Sequence, residues 1–134
     1  MKAILRSGFL ALVIMALAVS ANGGPLEDGL AAAERSDYAA ALKYWRPLAE
    51  QGDAELQFTI GLIYNYGQGV PQDHAEAASW FRLAAEQGDV HAQNDLGLIY
   101  EKGWGVQQDY LQALMWFNLA AMQGYERLKK AGTS

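Results

Sequence analysis

The sequence predicts an all-α solenoid of antiparallel helix hairpins wound into a right-handed superhelix, and three features carry that expectation. A 36-residue period runs through the second half of the chain, alanine far outnumbers the β-branched residues, and aspartate and glycine recur where helices would start and stop. At 134 residues the chain has room for about one domain. Hydrophobic residues make up 51% and charged residues 19%, a balance that excludes a disordered chain. The net charge of −5 argues against nucleic acid and against an anionic membrane surface as partners. There is no cysteine, which removes disulfide scaffolds, thiol nucleophiles, iron–sulfur clusters and most structural zinc sites.

The elements follow in order. Residues 1–21, MKAILRSGFLALVIMALAVSA, read as a secretory signal peptide: Lys2 and Arg6 precede an apolar run from Phe9 to Val19, and Val19-Ser20-Ala21 supplies the small residues of a cleavage site. The run is short for a membrane span, which needs ~20 apolar residues. No cysteine follows it, which excludes a lipoprotein anchor. The address expected is therefore periplasmic or secreted. The competing reading keeps residues 1–21 as an uncleaved membrane anchor.

Residues 22–52 form an N-terminal hairpin with helices near 26–36 and 37–51, the second kinked at Pro47, which removes an amide donor. Residues 53–88 and 89–124 are two copies of one unit, identical at 19 of 36 positions. Each is read as two helices, near 54–66 and 73–87, then 90–102 and 109–123. Asp53 and Asp89 are placed as N-caps, and Asp73-x-x-Glu76 and Asp109-x-x-Gln112 as capping boxes. Gly67 and Gly103 would stop the first helices, and Gly52, Gly88 and Gly124 the second. Residues 125–134 are left as a short cap helix over 125–131 and a tail.

The strings AELQFTIGLIYNYGQGVPQDHAEAASWFRLAAEQG and VHAQNDLGLIYEKGWGVQQDYLQALMWFNLAAMQG resemble Sel-one-like repeats (SLR), relatives of the tetratricopeptide repeat. Both carry a Gly-x-x-Tyr step, a Gly-x-Gly-Val loop, an Asp, an aromatic pair and a closing Ala-Ala-x-Gln-Gly. The first hairpin departs from that pattern, with eight residues from Gly29 to Asp37 against twelve from Gly61 to Asp73, and resembles a plain tetratricopeptide cap. The resemblance implies a superhelix whose first helices line a concave face, in proteins that act as interaction scaffolds, often at the cell envelope. It therefore implies another protein or a peptide segment as partner.

Catalytic readings are weak against that background. Gly67-Gln68-Gly69 and Gly103-Trp104-Gly105 lie between helices, without the preceding strand or the Lys-Ser/Thr of a phosphate loop. His74 and His91 have no ligand-type partner three or four residues on, so no metal or cofactor is expected. Ser79 aligns with Met115, which speaks for packing tolerance. The carboxylates Glu50, Asp53 and Glu55, and Glu86 with Asp89, recur with the repeat and double as caps. The pairs Tyr44-Trp45, Trp80-Phe81 and Trp116-Phe117 diverge by about 100° on a helix and are read as core. The function expected is a non-catalytic interaction module. The alternatives are an envelope hydrolase acting on peptidoglycan or β-lactams and a membrane-tethered adaptor.

A helical wheel of 54–66 selects the binding face. One arc, with Leu56, Gln57, Ile60, Gly61, Ile63 and Tyr64, is nearly shared between the copies and reads as structural. The opposite arc varies, yet keeps apolar residues where a solvated face wants charge. From it Phe58, Leu62 and Tyr66, with Asn94, Leu98 and Lys102 of the second copy, are the expected partner-binding residues. Trp104, at a loop tip, joins them.

Overall fold

The computed structural model describes residues 23–132; the expected signal segment 1–21 lies outside them. Six helices follow one another: α1 (Pro25–Glu34), α2 (Tyr38–Glu50), α3 (Ala54–Tyr66), α4 (His74–Glu86), α5 (Val90–Lys102) and α6 (Tyr110–Gly132). No strand occurs among the described residues. The helices pair as hairpins α1–α2, α3–α4 and α5–α6, and each second helix also packs on the next first helix. The architecture is the α-solenoid that the repeat predicts.

Local chemistry sets the boundaries. Asp37, Asp53, Asp73 and Asp89 each accept from the backbone N–H three residues on, at 2.8–3.1 Å. Asp109 accepts from Leu111 and Gln112. Only half of each expected capping box forms. The Asp73 and Asp109 N–H groups donate to the carbonyls of Tyr64 and Tyr100, closing the loop onto the first helix. That frees the Glu76 carboxylate, which accepts from Trp80 Nε1 at 3.2 Å. Gly67 and Gly103 end the first helices at φ 65° and 69°, the left-handed conformation that glycine adopts without a steric cost. α2 continues through Pro47, with the Gln51 N–H donating to the Pro47 carbonyl.

The expected stop at Gly124 does not occur. α6 runs for 23 residues and absorbs the separate cap helix expected at 125–131. Gly52 and Gly88 sit at φ 111° and 94° because a first helix must fold back after them. Among the described residues no first helix follows Gly124, and Tyr-Glu-Arg-Leu-Lys-Lys-Ala is a helix-forming string, so the helix propagates.

The core is continuous from α1 to α6. Every residue from Leu56 to Ile63 is buried, so α3 is enclosed on all sides. Gly61 exists for a close approach: a Cβ there would lie 2.5 Å from the Phe81 ring, and one at Gly97 would lie 2.7 Å from Phe117. The aromatic ring of the same hairpin, not a neighbouring backbone, takes the space. The shared glutamines have a role as well. Gln57 and Gln93 donate to the carbonyls of Ala49 and Ala85 at the end of the preceding second helix. Gln87 and Gln123 donate in turn to the Gln57 and Gln93 side-chain oxygens. The result is a polar ladder that fixes one hairpin on the next.

Candidate functional site

The arc expected to bind a partner divides in two. Phe58 is 4% exposed, held between Phe81 at 5.6 Å and His91 of the next first helix at 5.9 Å. Leu62 is fully buried. Both are therefore core, and the expectation that they face a partner is corrected. The equivalent residues of α5 have no following first helix among the described residues, and there the arc is open. Asn94 and Lys102 are exposed, and Leu98 is 37% exposed where Leu62 is 0%. Tyr66 lies between the two cases, half-buried against the core.

Trp104 is 39% exposed but not isolated: it stacks on His74 at 5.5 Å, and His74 Nδ1 pairs with Asn65 Oδ1 at 2.9 Å. The loop that carries it is fixed by its second glycine. A Cβ at Gly105 would lie 2.3 Å from the Ala75 N, and one at Gly69 would lie 3.2 Å from the Ala39 N. Each Gly-x-Gly loop is thus pressed onto the start of the preceding second helix. No space is left there for a phosphate. Among the described residues no three His, Cys, Asp or Glu side chains group as metal ligands.

Asp95 stands on the open arc where α3 has the fully buried Thr59. Burial pushes its carboxyl up from 3.8 to about 6, and the nearby Asp89 charge adds to the shift. The wheel left this residue among the variable ones, and only the tertiary structure singles it out.

A second set was missed although the sequence carried its signal. Arg46 and Arg82 stand 36 residues apart on α2 and α4. Arg46 donates to the Tyr64 hydroxyl, lies 3.9 Å from Glu76 and sits over the Trp80 ring at 5.8 Å. Arg82 sits over Tyr100 at 5.5 Å. These guanidinium groups pin each second helix to the following hairpin. The next position in the series is Asn118, where the ladder ends.

Comparison with known proteins places this geometry. The Sel1 repeat model matches residues 23–53, 54–89 and 90–125, so the first hairpin falls within the family pattern despite its shorter loop. No curated protein matches the chain. Among solved structures, a protective antigen of uropathogenic Escherichia coli strains with an SLR fold is 44% identical at a TM-score of 0.61, over 63% of this chain and 18% of that one. A Sel1 repeat protein from Oxalobacter formigenes is 35% identical at a TM-score of 0.65, over 71% of this chain and 39% of that one. The chain therefore spans well under half the length of both.

Proposed function

The chain belongs to the Sel1 repeat family, whose members generally mediate protein–protein interaction on a typically non-catalytic scaffold, and from that premise we propose that it is an adaptor of the bacterial envelope. It takes a segment of another protein along the open arc of α5, with Asn94, Leu98 and Lys102 as the contacts and Tyr66 and Trp104 at the rim. The observation that carries this reading is the contrast between Leu62, buried, and Leu98, open, at one repeat position. An apolar residue kept at an exposed position between polar Asn94 and Lys102 suits an extended or helical segment with alternate apolar anchors.

A photo-crosslinking residue at position 98, in the full chain expressed in cells, tests this. One discrete adduct is expected there, absent when the same residue replaces Ser79 and lost when Asn94 and Lys102 are changed to alanine. Adducts of equal yield from both positions would overturn the reading. The envelope address rests on residues 1–21 as a cleaved signal. Intact mass of the protein recovered from cells separates cleavage after Ala21 from a retained anchor.

A further inference from the structure

α6 differs from the two second helices before it on the side that faces away from the array. Three exposed positions read Ala39, Ala75, Leu111, then Lys43, Ser79, Met115, then Glu50, Glu86, Met122 along the three hairpins. Small or polar residues occupy these positions twice, and large apolar ones the third time. Leu111 is 80% exposed and Met122 64%. Leu114 and Leu119 widen the strip, and Tyr125 extends it. The opposite face of α6 is already committed to the core through Ala113, Trp116 and Ala120. A helix apolar on both faces is one that expects cover. Six such side chains present on the order of 600 Å² per copy, near the ~800 Å² that each partner of a standard interface buries.

The spacing says what covers it. Leu111, Met115, Asn118, Met122 and Tyr125 follow one another at intervals of four, three, four and three residues. That is the seam of a two-helix coiled coil, and at about 100° per residue it spans only about 80° of the helix. Its one polar member stands at the centre. In an antiparallel pair of identical helices crossing at residue 118, Asn118 meets Asn118 of the second copy. Met115 then meets Met122, and Leu111 meets Tyr125, whose hydroxyl reaches solvent at the end of the seam. An unrelated apolar partner would leave the Asn118 amide buried without a hydrogen bond, whereas a second copy supplies its complement. Antiparallel packing also opposes the two helix dipoles. Shallow grooves flank Met122, one by Leu119 and Gln123 and the other by Ala121 and Tyr125, and they can receive the opposing side chain.

We propose that the protein forms a two-fold symmetric dimer through antiparallel pairing of α6 with α6 of a second copy, centred on Asn118.

The absence of native cysteine makes the test clean. Sedimentation of the full chain from about 1 to 100 µM should reach twice the monomer mass. Under mild oxidation Asn118→Cys should link to itself. Leu111→Cys alone should not, because its two copies lie roughly 20 Å apart along the pair at 1.5 Å per residue. A mixture of Leu111→Cys and Tyr125→Cys should link across. Met122→Glu should give a monomer with unchanged helical circular dichroism. A monomer at every concentration, self-linking of Leu111→Cys, failure of Asn118→Cys to link, or association that survives Met122→Glu would each overturn the proposal. The last of these would place the contact elsewhere in the chain.

Discussion

At single residues the structure turns on small volumes and on one carboxylate. Gly61 and Gly97 are matched in sequence but not in surroundings, since Phe81 is fully buried and Phe117 only half-buried. A methyl group at Gly61 meets a ring that has nowhere to go. Gly61→Ala should therefore cost about 2–3 kcal/mol and Gly97→Ala about 1 kcal/mol, as overpacking does when the neighbour can or cannot yield. Urea unfolding of the two variants checks the order, and equal costs would contradict it. Asp95 gives a pH dependence of definite sign. Its folded pKa lies above the unfolded value, so the folded state holds the proton more tightly and stability falls as pH rises from about 4 through about 6, then levels. Asp95→Asn removes the penalty. Because the side chain keeps some contact with solvent, the gain at pH 7 should be on the order of 1–2 kcal/mol, vanishing near pH 4. A gain at pH 4 as large as at pH 7 would mean the carboxylate is not its source.

At the level of elements, the same residue type ends one helix and is carried through another. Gly88 and Gly124 are repeat equivalents, yet Gly88 sits at φ 94° while Gly124 is helical with nothing within 4 Å of an added Cβ. Gly124→Ala should stabilise by about 0.5–1 kcal/mol through helix propensity, and Gly88→Ala should destabilise by about 1 kcal/mol because alanine is strained at positive φ. Thermal melts of the two variants should move in opposite directions. The contrast also marks how far the sequence could be read. Asp53, Asp73 and Gly67 act through bonds within four residues, so the helix starts and stops they set were legible. Gly124 carries the same local signal, and its outcome depends on what packs beyond it. The binding arc failed for a related reason: a helical wheel groups Phe58 and Leu62 with Asn94 and Leu98, and only the presence of α5 beside α3 separates them. Arg46 and Arg82 were legible at the 36-residue offset, but their meaning required the partners Tyr64, Trp80 and Tyr100 to be brought alongside.

For the whole molecule, three hairpins are about the smallest array in which a middle unit has neighbours on both sides. In such an array the energetic weight of a side chain is set by its place along the stack as much as by its chemistry. Leu62 and Leu98 are the direct comparison, being identical residues at one repeat position. Leu62 is enclosed in a helix buried from Leu56 to Ile63, while Leu98 borders solvent. Truncating Leu62 removes a fully packed side chain and leaves a cavity between two hairpins, so Leu62→Ala should cost about 3 kcal/mol. Leu98→Ala loses partial burial and opens no cavity, so it should cost less than about 1 kcal/mol. The loss at Leu62 falls on the unit that joins the other two, so the chain should still unfold in one transition, shifted to lower urea with its slope unchanged. Fraying confined to one end would instead appear as a broadened transition with a smaller slope. Equal costs at the two leucines would mean that the arc of α5 is covered in solution, and the surface proposed for a partner would then be occupied before any partner arrives.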